Sequence, residues 1–242
     1  PNTYANYGVR AGAEQHLQPR FDPEQLLQWI QRFRVTNLHM VPTMFVRLLK
    51  LPADVRRKYD VSSLKFVVHA AAPCPIDVKR AMIEWWGPVI NEYYGATETG
   101  AITFCTSEEW LAHPGTVGRP MRGTRVRIVD EAGQEVPKGE SGEVYMRLTG
   151  GPDFTYHGDD AKRAKAERDG LVTAGDIGRF DADGFLHLMD RRNNMVISGG
   201  VNIYPAEIES VLLGMPGVAD CAVFGIPDDE FGEALCAAVQ PQ

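Results

Sequence analysis

Basic excess, paired cysteines and long apolar runs are what this chain lacks. Lys and Arg number 25 against 32 Asp and Glu, a net charge of −7, and the pI is about 5.4. A nucleic-acid binder usually presents a basic face, so that class is disfavoured. A nucleotide site is not excluded, because local charge decides it. The four cysteines, Cys74, Cys105, Cys221 and Cys236, are scattered and form no CxxC pair. This argues against a structural zinc site or a disulfide framework, and makes reduced thiols in a cytoplasmic protein the expectation. No apolar run approaches the ~20 residues of a membrane span. No signal peptide opens the chain, and there is no internal repeat or low-complexity tract. The chain starts at Pro1 and stops soon after an apolar run, 234–239, so both ends read as cuts from something longer.

What is present is ordinary for a globular protein: 44% hydrophobic and 24% charged residues over 242, enough for a sizeable core. Asp22-Pro23-Glu24 reads as a helix start, with an N-cap, a proline at the first helical position and an acid at the positive end of the dipole. Leu26, Leu27, Ile30 and Phe33 follow at helical spacing. Further helices are expected over 42–49 and 75–86, with compact apolar strands over 37–41, 65–68 and 89–94. Alternation of this kind predicts an α/β region with a mainly parallel sheet. After about residue 115 short strands alternate with turns rich in Gly and Asp, which predicts a small antiparallel β-barrel or sheet. From residue 190 a helix over 206–213 and strands from 219 and 234 predict the start of a small α+β domain. The expected parts are 1–114, 115–189 and 190–242.

Three clusters carry chemistry. In 91–100 two tyrosines precede Gly95, Ala96, Thr97 and Glu98. Tyr94, next to the turn, is placed to stack on a base, while Tyr93 faces the other way on a strand. Thr97 is either a phosphate donor or a turn cap. Glu98 is either a magnesium ligand or a solvated carboxylate. The second cluster is Thr173-Ala174-Gly175-Asp176, where Asp176 in a turn either accepts two ribose hydroxyls or bonds its own backbone. The third runs from Asp190-Arg191-Arg192-Asn193 to Gly199-Gly200. Its arginines suit an anion or plain solvation, and its glycines suit a ligand or a hairpin turn. Small residues 70–73 after a strand leave room for a flat ring or for close helix packing. His69 either lines that pocket or is a satisfied polar residue.

In this order, the segments resemble the adenylate-forming superfamily, and within it the acyl-CoA synthetases. Tyr94-Gly95-Ala96-Thr97-Glu98 is similar to the family's Tyr-Gly-x-Thr-Glu motif, and Thr173-Ala174-Gly175-Asp176 to its Thr-Gly-Asp motif. Gly139-Glu140-Ser141-Gly142-Glu143 is similar to its barrel motif, and 190–209 to its hinge and first C-terminal glycine turn. The resemblance implies ATP-dependent activation of a carboxylic acid to an acyl-adenylate, then thioester formation with coenzyme A. It implies that Ala71, Ala72, Pro73 and Tyr94 frame adenine, and that Thr97 contacts the α-phosphate. Glu98 would hold Mg2+, and Asp176 and Arg191 the ribose. His69 and Gly95 would border the acid. The C-terminal part would turn about Asn193, where the family often has Asp or Lys, to bring Gly199 and Gly200 to the thiol.

The family's phosphate-binding loop and its C-terminal catalytic lysine have no counterpart in these residues, so the chain alone is expected to be inactive. The segment 41–45 points to an apolar acyl slot. A medium- or long-chain fatty acid is the first expectation and an aromatic acid the second. Transfer to a carrier protein and a non-catalytic nucleotide-binding fragment are the remaining alternatives. Expected partners are ATP, the acid and coenzyme A, with homo-oligomerisation left open.

Overall fold

The computed structural model describes residues 2–151, 153–192, 194–228 and 231–241. In chain order its elements are α1 (Asn2–Arg10), α2 (Pro23–Phe33), β1 (Asn37–Met40), α3 (Pro42–Leu49), α4 (Ala53–Lys58), β2 (Phe66–His69), α5 (Ile76–Trp86), β3 (Ile90–Ala96), β4 (Gly100–Cys105), α6 (Ser107–Ala112), β5 (Arg119–Pro120), β6 (Thr124–Val129), β7 (Gly142–Leu148), α7 (Asp160–Ala166), β8 (Glu167–Arg168), β9 (Leu171–Phe180), β10 (Leu186–Arg191), β11 (Val196–Ser198), β12 (Val201–Ile203), α8 (Pro205–Leu213), β13 (Val218–Asp228) and β14 (Gly232–Pro241). They divide into two compact units: Pro1–Tyr93 with Cys105–Gly115, and Tyr94–Phe104 with Thr116–Gln242. Among the described residues, no helix is long and apolar enough to cross a membrane.

In the first unit β1, β2 and β3 pair in parallel, with Leu38 opposite Val67 and Val67 opposite Ile90. Helices on these strands bury Leu27, Ile30, Phe45, Leu48, Met82 and Trp110 in one core. Helix α2 starts where its residues dictate. Asp22 Oδ1 accepts the Gln25 amide at 2.8 Å, and Pro23 sits where no intrahelical donor is needed. Asp22→Ala should therefore cost about 1 kcal/mol. A urea melt that shows no shift in midpoint would refute the cap's role. Helix α6 is held by a capping box, with Thr106 and Glu109 each bonding the other's backbone amide.

A buried charge cluster lies in this core, and nothing in the sequence pattern announced it. Lys79 Nζ on α5 lies 2.5 Å from Glu92 Oε2 on β3, and Lys79 is wholly buried with its ammonium over the Trp110 ring. His69 is also fully buried. Its Nε2 is 3.4 Å from the same Glu92 oxygen but is not hydrogen-bonded, and burial holds the imidazole well below its usual pKa and so neutral. Burial likewise pushes the Glu92 carboxyl above its ordinary range, against the pull of Lys79. The Cys74 and Cys105 thiols are pushed up to about 12 by the same burial, which makes them packing groups, not nucleophiles.

In the second unit β4 pairs antiparallel with β5, and a separate antiparallel sheet has the order β10-β9-β7-β6, with β8 beside β9. Val117, Ile128, Val144 and Leu186 form its core, with Tyr94 packed against them. Of the expected small barrel or sheet, the sheet is what forms: β6 and β10 are unpaired edges among the described residues, so it does not close into a barrel. Short strands and frequent turns specify antiparallel hairpins but leave closure to strand number and tilt. A third sheet, β12-β11-β14-β13, is dominated by the long β13–β14 hairpin. Helix α8 lies on β13, where Glu209 Oε1 accepts the Val223 amide at 2.8 Å.

Candidate active site

Strand β3 ends at Ala96, residues 97–99 reverse the chain, and β4 leaves from Gly100. Thr99 closes the turn, its hydroxyl accepting the Ala96 amide at 3.2 Å. A Cβ at Gly95 would overlap the carbonyl of Gly100. The close contact between the strands is itself enough to require a glycine there. Thr97 is exposed and Glu98 half-buried. Glu98 Oε1 accepts a hydrogen bond from the Tyr156 hydroxyl at 2.9 Å.

Asp176 lies inside the ten-residue strand β9, not in the turn expected from its glycines. The strand is irregular there: Glu143 and Tyr145 on β7 face Ile177 and Thr173, so the residues between Thr173 and Ile177 oppose a single residue. Gly175, at φ +81°, supplies the backbone shape this bulge needs. The bulge re-aims Asp176, and the Tyr94 hydroxyl donates to its Oδ2 at 2.6 Å. Burial, reinforced by the Asp176 carboxylate, pushes the Tyr94 phenol far upward, so it remains a donor. Arg191, the register partner of Asp176 on β10, holds its Nε 3.6 Å from Oδ1. Arg191 is 71% exposed and Asp176 13%. This loose pair contributes little stability and leaves the guanidinium able to turn to a ligand.

Glu143 braces the same turn, a role that sequence reasoning missed. Its two oxygens take the Thr173 hydroxyl at 2.9 Å and Arg192 Nη1 at 3.1 Å, and Thr173 in turn accepts the Gly175 amide at 2.9 Å. The motif 139–143 marked the residue but not its partners, which are distant in sequence. Tyr156 was also missed, because it sits in an irregular stretch without periodicity. Asp190 ties the strand end to the C-terminal part: its Oδ2 accepts the Ala206 amide at the start of α8 at 3.0 Å. Gly199 and Gly200 turn β11 into β12 at φ +57° and +82°, and the Gly199 amide donates to Phe231 O at 2.9 Å. Asn193 lies outside the described residues.

In the first unit Ala71, Ala72 and Pro73 are exposed just after β2. Ala71 has φ +78°, a left-handed conformation that costs a non-glycine residue about 1–2 kcal/mol. His69, expected to line a pocket, is instead buried beside Glu92. Phe45 and Pro42 of the expected acyl slot are buried as well, Phe45 edge-on to His69 at 5.3 Å.

Among the described residues no cluster of three or more His, Cys, Asp or Glu side chains is arranged to hold a metal. Magnesium bound beside phosphates needs no such cluster, since one or two carboxylates with phosphate oxygens suffice. Glu98 fits that mode: it is a hard oxygen donor whose hydrogen bond to Tyr156 leaves acceptor capacity free.

Comparison with known proteins decides the family. Residues 3–151 match the model of the AMP-binding enzyme family, and residues 207–242 that of the AMP-binding enzyme C-terminal domain. This chain belongs to the AMP-binding enzyme family. A feruloyl-CoA synthase from Amycolatopsis is 37% identical over 228 residues, covering 93% of this chain and 45% of the relative. A medium/long-chain-fatty-acid–CoA ligase from Mycobacterium tuberculosis is 35% identical over 240 residues, covering 96% and 40%. The crystal structure of ATP-bound MatB from Rhodopseudomonas palustris superposes with a TM-score of 0.87 at 32% identity, covering 99% of this chain and 47% of that one. The chain thus spans a little under half the length of the relatives it matches. The adenylate-forming fold that the motifs resembled is the fold found.

Proposed function

We propose that the protein to which this sequence belongs is an AMP-forming acid–thiol ligase. It joins a carboxylic acid to ATP, releasing pyrophosphate, and then passes the acyl group to the thiol of coenzyme A, releasing AMP. The observation that carries this reading is the 2.6 Å bond from Tyr94 to Asp176, which joins the Tyr-Gly-Ala-Thr-Glu and Thr-Ala-Gly-Asp motifs across 82 residues of sequence. A plain surface turn would not need a half-buried phenol aimed at a carboxylate.

In this reading Asp176 accepts the ribose hydroxyls, held in place by Tyr94 and by the Glu143–Thr173 brace, and Arg191 swings onto the nucleotide. Thr97, exposed at the tip of its turn, donates to the α-phosphate. Glu98 holds magnesium, which neutralises phosphate charge when bound. Ala71, Ala72 and Pro73 give adenine a flat, small-residue surface. Residues 190–242 act as the hinge and part of a mobile C-terminal portion, with Asn193 as pivot and Gly199 and Gly200 beside the thiol.

The acid is a medium- or long-chain fatty acid in the first reading. Burial of Pro42 and Phe45 in the core weakens the acyl-slot argument, and the identity to a feruloyl-CoA synthase favours an aromatic acid as the second. A purely structural module is disfavoured, because Thr97, Glu98, Asp176 and Arg191 would have no work in it.

The test is pyrophosphate release by the chain completed to the length of its relatives, against fatty and aromatic acids, with thioester product sought on coenzyme A and on a carrier protein's phosphopantetheine. Release with none of the acids would sink the ligase reading if it stays at background. The 242-residue chain alone should release no pyrophosphate above background, since nothing in it replaces the phosphate-binding loop or the catalytic lysine.

A further inference from the structure

The described residues between β7 and α7 form no helix or strand, yet they place one aromatic ring with care. Tyr156 is half-buried, with the Phe154 ring packed edge-on at 5.4 Å and Lys162 Nζ 4.2 Å from its centroid. Phe154 is itself covered by the Arg163 guanidinium, 4.4 Å above its ring, and Arg163 bonds the Phe154 carbonyl at 3.1 Å and Asp153 Oδ1 at 3.2 Å. This assembly anchors Tyr156 from α7, and its hydroxyl donates to Glu98 Oε1 at 2.9 Å.

We propose that Tyr156 is a positioning residue: it fixes the Glu98 carboxylate in the orientation that receives the divalent cation. The inference rests on the reading of Glu98 as the chain's cation ligand. A carboxylate at a turn tip has free rotation about its side-chain bonds, and a single donor on one oxygen removes it. Partners of metal ligands at one remove typically change metal affinity by about 10–100-fold when lost. Burial of Tyr156 for packing alone would predict no such effect, since phenylalanine fills the same space.

The experiment measures free Mn2+ by its paramagnetic resonance signal in the presence of ATP, for the 242-residue chain and for Tyr156→Phe and Glu98→Gln. AMP binding in EDTA is measured in parallel by calorimetry. Tyr156→Phe should weaken Mn2+ binding about 10-fold or more while AMP affinity without metal is unchanged. Glu98→Gln should weaken it at least as much. If Glu98→Gln weakens Mn2+ binding and Tyr156→Phe does not, the positioning role is overturned and the ligand reading stands. If Tyr156→Phe lowers metal and metal-free AMP binding alike, the residue is merely structural and the proposal also fails. If Glu98→Gln leaves Mn2+ binding at the wild-type level, the underlying assignment of Glu98 is what fails.

Discussion

Replacing Lys79 by methionine should destabilise the first unit by about 3–5 kcal/mol, the usual cost of removing one partner from a buried ion pair. Methionine matches the length of the lysine stem, so little volume is lost and the effect isolates the charge. What remains is the Glu92 carboxylate, 4% exposed, with its counter-charge gone and a neutral imidazole beside it. Glu92 already titrates above its ordinary range, and without Lys79 it would rise further. A carboxyl whose folded pKa is raised binds protons more tightly folded than unfolded. The variant should therefore gain stability as pH falls and lose it as pH rises above the unfolded carboxylate's ~4.3. Adding Glu92→Met should recover most of the loss, because a buried pair is replaced by packed apolar groups at little net cost. Urea denaturation of the single and double variants decides it. A loss under about 1 kcal/mol in the single variant, or no recovery in the double, would show that the pair is not isolated from water as its burial indicates.

Asp176→Ala should lower AMP affinity about 10–100-fold, the equivalent of about 1.5–3 kcal/mol for hydrogen bonds to a charged acceptor. The loss should be selective. The unsubstituted chain should bind AMP better than 2′,3′-dideoxy-AMP, and the variant should bind the two alike, since the hydroxyls would have lost their acceptor. Tyr94→Phe should have a smaller effect, because it frees Asp176 to rotate without removing it. Calorimetric titration of both nucleotides against the three proteins tests this. Undiminished discrimination between the nucleotides in Asp176→Ala would exclude the ribose assignment.

Much of the first unit was legible because its signals are local. The Asp22 cap, the helix over Pro42–Leu49 and the strand Phe66–His69 follow from residues that touch neighbours a few positions away. Helix α1 was not read, since its segment carries asparagines and a glycine, poor helix formers, and its apolar Tyr7 and Val9 are exposed. The nucleotide motifs were legible as short strings whose order resembled one family, and the family match agrees with that resemblance.

Sequence by itself therefore determined the α/β alternation, the antiparallel hairpins after residue 115, the positions of α2, α3, α5 and α8, and the family. These depend on spacing, caps and turn residues, which act over a few positions. Only the tertiary structure decided that the second sheet is open, that a bulge rather than a turn aims Asp176, and that His69 is buried. It alone showed that Lys79 meets Glu92, that Glu143 braces Thr173 and Arg192, and that Tyr156 reaches Glu98. Those pairs lie 13 to 58 residues apart in the chain. A partner at that distance is chosen by strand register and packing, and no local pattern encodes it.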